Sequence, residues 1–135
     1  MELKERFLAK TPALNKLIKK IEREAKEKGY VRGLDGRVIH VRSAHAALNT
    51  LLQGNGAIVC KYWLIYMMKG IMKYGLDAKL VGSIHDEYEI ELNKKDIDMM
   101  KKIAKAAMKK TEKVLGVTCP LDCESGVGTN WSETH

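Results

Sequence analysis

Two sets of residues in this chain have the types and spacing that chemistry needs. The first is Ile84-His85-Asp86-Glu87-Tyr88, an acidic turn between two apolar, strand-like runs. A short carboxylate at a hairpin tip projects from rigid backbone, and hard oxygens of this kind hold Mg2+ or Mn2+. In metal-assisted phosphoryl transfer two such ions, about 3.5–4 Å apart, stabilise the attacking and leaving oxygens. One tip aspartate cannot hold two ions, and Glu87, next to Asp86 on a strand, points to the other face. On spacing alone the same residues also read as a solvated turn.

The second set is His45, Asn49 and Gln53, which recur every four residues and so form one polar stripe on a helix, opposite Leu48, Leu51 and Leu52. Amide side chains donate and accept, and the DNA minor groove offers acceptors at nearly the same place for every base pair. Such a stripe can test pair shape without reading sequence; a helix face wetted by solvent has the same pattern. Nearby, Arg32, Arg37, His40, Arg42 and His45 crowd around a single acid, Asp35, which makes this the most cationic exposed part of the chain. His40 and His45 lack a third ligand at zinc spacing.

The elements that must position these residues follow from periodicity and punctuation. Glu2 to Lys10 reads as a short charged helix, and Thr11-Pro12 restarts it with Thr11 as N-cap and Pro12 at the first helical position. Ala13, Leu14, Leu17, Ile18, Ile21 and Ala25 then recur at helical spacing up to Gly29. Asp35-Gly36, between Tyr30–Leu34 and Arg37–Val41, predicts a tight hairpin turn with positive φ angles. Ser43 offers an N-cap to a long helix reaching about Tyr74 and stopped by Gly75. Inside it, Gly54-Asn55-Gly56 costs about 1 kcal/mol per glycine; close approach of another backbone, a kink or a break into two helices would each account for it.

Ala78–Ile84 and Tyr88–Leu92 make a second hairpin, with Glu87, Glu89 and Glu91 on the face opposite Tyr88, Ile90 and Leu92. Asn93 caps a third major helix to about Leu115, its apolar side formed by Ile97, Met100, Ala104, Ala107, Met108 and Leu115 and its lysines turned to water. A last short strand is expected over Thr118 to Glu124. This order implies an α+β fold, an antiparallel sheet of β-hairpins packed against long helices, in a single domain.

Composition narrows the partners. The 135 residues are 45% hydrophobic, enough for one domain with a real core. Twenty-four Lys and Arg against 17 Asp and Glu give a net charge of +7, which suits a polyanion and places nucleic acid ahead of a membrane surface. Three cysteines without paired spacing argue against a disulfide framework or zinc site and for reduced thiols in a cytosol. The longest apolar stretch, Ala57 to Met68, is interrupted by Lys61 and is shorter than the roughly 20 residues that span a bilayer. The charged N-terminus does not resemble a secretory signal.

Taken in order, Gly33-Leu34-Asp35-Gly36-Arg37, then His45 to Gln53, then His85-Asp86-Glu87, then Asn130-Trp131 and the terminal His135 resemble the C-terminal palm segment of family A DNA polymerases, in the phage T7-like branch. Leu3-Lys4-Glu5-Arg6-Phe7-Leu8 with Thr11-Pro12-Ala13 resembles the segment just beyond the fingers helix of that branch, so the resemblance covers essentially the whole chain. It implies that Asp86 is a metal-binding carboxylate, with His85 near the primer terminus and Glu87 beside it. It also implies that Asn49 and Gln53 touch the minor groove of the new pair, that His45 fills a site that is arginine in some relatives, and that His135 lies close to the active site.

The implied cofactor is Mg2+ or Mn2+, two ions in the complete site, and the implied partners are primer-template DNA and deoxynucleoside triphosphates. The fingers, thumb, exonuclease domain and first palm carboxylate of the family are not matched within these residues. The expectation is therefore a palm segment active only with an N-terminal polymerase fragment, in a bacterial or phage-infected cell. The alternatives are a non-catalytic DNA-binding remnant and, more weakly, a free-standing metal nuclease.

Overall fold

A computed structural model describes residues 3–134. The ends of two expectations, the helix start at Glu2 and the terminal His135, lie outside the described residues. The chain divides into two compact units, one ending at Ile58 and the other starting at Val59.

The first unit begins with helix α1 (Leu3–Lys10) and helix α2 (Pro12–Lys28). Pro12 opens α2 as expected, but Thr11 does not cap it: its hydroxyl donates back to the Phe7 carbonyl of α1 at 2.9 Å. Gly29 ends α2 in the left-handed region, φ 76°, and donates its N–H to Ala25 O. Strands β1 (Tyr30–Arg32) and β2 (Val38–His40) form an antiparallel ribbon with Arg32 opposite Val38. Its turn differs from the expected one. Gly36 N–H bonds to Gly33 O, so Leu34 and Asp35 are the central residues, and Gly36 follows at φ 83°, the only positive φ in the turn. This is a three-residue loop closed by one left-handed glycine, a common hairpin alternative to the two-residue type.

Helix α3 (Ala47–Tyr74) follows a 3₁₀ turn at Ala44–Ala46, where Ser43 stands at the N-cap without a side-chain bond. The helix runs unbroken through Gly54-Asn55-Gly56. A Cβ on Gly54 would lie 2.7 Å from Ile39 Cδ1, and one on Gly33 would lie 2.5 Å from Ile58 Cδ1. Two glycines, one on each partner, thus let the ribbon and the first half of α3 close on each other. Asn55 completes the seat by accepting the Leu34 N–H at 3.0 Å. Close approach is therefore the reason for the mid-helix glycine at position 54, and the neighbour is a side chain. The core here is Ile21, Ala25, Val31 and Ala47, with Ile39, Val41, Leu48 and Leu51 packed around it. Leu52, placed by its spacing with Leu48 and Leu51 opposite the polar stripe, is 60% exposed.

The second unit contains the rest of α3, strands β3 (Ala78–Ile84) and β4 (Glu87–Leu92), and helix α4 (Ile97–Leu115). Gly75, at φ 62°, stops α3. A 3₁₀ turn at Lys94–Asp96 leads into α4, and Asn93 precedes it without a side-chain cap. On α4, Met100, Ala104, Ala107, Met108 and Leu115 are buried as their spacing predicts, joined by Ile103 and Thr111. The Thr111 hydroxyl, fully buried, donates to Ala107 O one turn back. A Cβ on Gly70 of α3 would meet Ile103 Cγ2 at 2.5 Å, so that glycine sets how near the two helices pass. Their shared core comprises Trp63, Met67, Ile71, Met100, Ile103 and their neighbours, on which Tyr88, Ile90 and Leu92 of the ribbon pack.

The hairpins are two separate antiparallel ribbons, each packed against helices, within the expected α+β class. One correction concerns a strand: none forms over Thr118–Glu124. Its backbone is served by side chains of α4: Glu112 Oε2 accepts Leu121 N–H at 2.6 Å, and Lys109 Nζ donates to Leu121 O at 2.6 Å. Pro120 has no N–H to give a ladder, and Leu121 and Cys123 turn onto the α3–α4 core.

Candidate functional site

The β3–β4 ribbon reverses in two residues, His85 and Asp86, with Ile84 opposite Glu87. His85 stands at φ 51°, the single non-glycine residue with positive φ among the described residues. Left-handed backbone costs an L-residue roughly 1–2 kcal/mol, so the tip holds its shape against a local preference. Lower on the same ribbon, Leu80 pairs with Ile90 and Gly82 with Glu89, leaving Val81 as an extra residue in β3. That bulge turns Val81 outward, 64% exposed. On β4, Tyr88, Ile90 and Leu92 face the core, while Glu87 and Glu91 are exposed and Glu89 is half-buried, which matches the expected alternation.

Asp86 is exposed, and no described residue hydrogen-bonds or ion-pairs with its carboxylate. It lies close enough to Cys60 that its charge helps hold the thiol above the ordinary cysteine range, second to the larger effect of burial. Burial likewise raises the Tyr88 phenol, with Cys60 adding to it. Tyr88 packs on Trp63, ring centres 5.3 Å apart and planes at 54°. The Trp63 indole N–H in turn donates to Ala104 O of α4 at 3.0 Å. His85 and Glu87 flank Asp86, both exposed.

The donor chemistry of Asp86 fits a divalent metal, but its number does not: among the described residues no three His, Cys, Asp or Glu side chains come together as a metal site. Among the described residues Asp86 is thus a candidate ligand without a complete set beside it.

The other expected residues lie in the first unit. Asn49 and Gln53 are exposed on α3 and neither amide is engaged by a described residue, whereas His45 sits in the preceding 3₁₀ turn, its side chain 95% exposed and its Nδ1 3.9 Å from Glu22 Oε1. Arg42 is exposed. Arg37 is not a loose cation: its guanidinium meets the Asp35 carboxylate at 2.7 Å and holds that acid below the usual carboxylate range. Arg32 donates to Gly36 O at 2.9 Å and lies over the Tyr30 ring. The ribbon's arginines are therefore partly spent on the ribbon itself.

Near the C-terminus, Glu133 gathers Thr129 N–H at 2.6 Å, the Thr129 hydroxyl at 3.1 Å and Asn130 Nδ2 at 3.0 Å. These bonds hold its carboxyl below the usual range and shape the turn around Trp131. Sequence reasoning missed Glu133, Asn55 and Trp63. The Gly54-Asn55-Gly56 tripeptide was a signal for the second, since a mid-helix Asn between glycines has little helical value of its own. Glu133, four residues after Thr129, has the spacing of a local capping contact; for Trp63 no local signal existed.

The sequence profile described as DNA polymerase family A matches residues 1–133, and the chain belongs to that family. It is 36% identical to the DNA-directed DNA polymerase of Enterobacteria phage T3 and 34% identical to that of Escherichia phage T7, each match covering 99% of this chain and 22% of the relative. DNA polymerase I of Aquifex aeolicus is 32% identical over 97% of this chain and 23% of its own length. The chain thus spans about a fifth of these relatives. In fold it is similar to the POL domain of Pol1 from M. smegmatis, solved with DNA primer-template and dNTP, with a TM-score of 0.69 and 20% identity over 79% of this chain and 21% of that one. No helix of the described residues is long and apolar enough to cross a membrane.

Proposed function

We propose that these residues form the C-terminal part of the palm of a DNA-directed DNA polymerase and work in template-directed addition of deoxynucleotides to a primer. The observation that supports this most directly is Asp86, an unengaged carboxylate fixed at a strained two-residue tip in a chain of this family. Asp86 serves as one ligand of the divalent ions, Mg2+ or Mn2+, with the remaining carboxylates supplied by other parts of the polymerase, in the same polypeptide or in an N-terminal partner fragment. When bound, such ions neutralise charge on the oxygens of the transferring phosphoryl group. His85 stands beside the primer terminus and Glu87 at the mouth of the site. His45, Asn49 and Gln53 follow the minor groove of the primer-template, and Arg42 takes a backbone phosphate. Arg37, through its bond to Asp35, stiffens the β1–β2 turn more than it binds DNA.

By itself the chain binds DNA without extending a primer. The test is to combine it with the rest of a family A polymerase, primer-template, deoxynucleoside triphosphates and Mg2+. Extension that requires both parts and disappears with Asp86→Ala supports the reading. If the folded mixture stays inactive, or Asp86→Ala extends normally, the reading fails, and salt-sensitive DNA binding alone would leave the non-catalytic alternative.

A further inference from the structure

Among the described residues Asp86 sits on a ribbon of two strands, and what holds the tip within them lies beneath one face of that ribbon. Of the ribbon residues on the α3–α4 core, Ala78, Tyr88, Ile90 and Leu92, the one nearest the tip is Tyr88, two residues beyond Asp86. Its support is Trp63: 8% exposed, 5.3 Å from the Tyr88 ring, and tied by its indole N–H to Ala104 O at 3.0 Å. A buried indole with its N–H satisfied has little freedom left. On the opposite strand, bulged Val81 and Ser83 are exposed and give the tip no comparable hold.

We infer that Trp63 is a positioning residue for Asp86: it transmits the fixed backbone of α4, through the Tyr88 ring, to the tip of the β3–β4 ribbon. This rests on the reading of Asp86 as a metal ligand. Displacements of about 1 Å at a phosphoryl-transfer centre cost about a hundredfold in rate. The brace therefore acts on turnover and metal use, while primer-template binding, made elsewhere, is left alone.

The test uses the active polymerase that carries these residues. Trp63→Phe keeps a ring against Tyr88 and removes the N–H donor. It should lower kcat about tenfold, raise the Mg2+ concentration for half-maximal rate, and leave KM for primer-template within about twofold. Amide exchange over Ser83–Tyr88 should quicken with and without Mg2+, while exchange over Ala107–Leu115 stays the same. Tyr88→Phe should match the unaltered protein and Tyr88→Leu should reproduce Trp63→Phe, so the claim stays testable if Trp63 variants do not fold. Ile103→Val, in the same core but packed at Gly70 and leaving both rings and the Ala104 carbonyl in place, supplies the stability control.

Unchanged kcat, Mg2+ dependence and exchange in Trp63→Phe would overturn the inference, as would an equal change in Ile103→Val at matched stability. Asp86→Ala separates the two failures. If it abolishes extension while Trp63→Phe does nothing, only the brace is wrong; if it extends normally, the metal-ligand reading is wrong as well.

Discussion

The two ribbons of this protein carry an aspartate in their turns, and they treat it in opposite ways. At β1–β2, Asp35 is 10% exposed, clamped by Arg37 at 2.7 Å, and followed by a glycine that absorbs the left-handed backbone. At β3–β4, Asp86 is exposed, no described residue pairs with it, and a histidine takes the left-handed position instead. The first turn is relaxed and its charge is answered locally; the second is strained and its charge is left available. Composition does not separate a structural carboxylate from a catalytic candidate. What separates them is whether a neighbour has already satisfied the acid and whether the backbone bears a cost to present it.

The largest effect that would test this contrast is on activity. In an assembled polymerase, Asp86→Ala should lower primer extension on the order of a hundredfold or more. Asp35→Ala should change it less than about threefold, since loss of a surface pair costs little; single-turnover extension measures both. Comparable losses from the two would erase the distinction.

Next in size are the left-handed positions. Gly36→Ala should destabilise by about 1–2 kcal/mol, because φ 83° is costly for an L-residue, whereas His85→Gly should stabilise by up to about 1 kcal/mol by relieving the tip. Denaturant melts of both variants give the signs directly. If His85→Gly also loses activity while gaining stability, the imidazole itself is at work in the site.

The smallest effect is pH-dependent. The Arg37 hydrogen bond depresses the Asp35 carboxyl, so its contribution is fully present above the ordinary aspartate range and fades as pH falls through the lowered folded value. The protection factor of the Arg37 amide, whose N–H donates to Asp35 Oδ1, should therefore fall on acidification below that range, in step with loss of the turn.

How much of this could be read from the chain depended on the range of the forces involved. Helix spans, the stops at Gly29 and Gly75, the two hairpins and the buried side of α4 follow from local periodicity and glycine. The same holds for the placement of Asp86 at a tip and of Asn49 and Gln53 on an exposed face. What escaped was set across longer distances. Leu52 shares the spacing of Leu48 and Leu51 yet is exposed, while those two pack against the core of the first unit. Thr118–Glu124 has strand-like residues, but Glu112 and Lys109 reach it first. The Arg37–Asp35 pair escaped too, because an arginine two residues from an aspartate gives no sign of its rotamer.

The surplus residue at Val81 has one more effect. Along a plain ladder, sliding β3 past β4 by a single step would exchange inner and outer side chains and move the apex off its present pair of residues. With one strand longer than its mate at a defined point, the two can mesh in one alignment only, as a keyed shaft fits its slot. The identity of the carboxylate at the apex is thus indexed some way down the ribbon, at a place where nothing chemical happens.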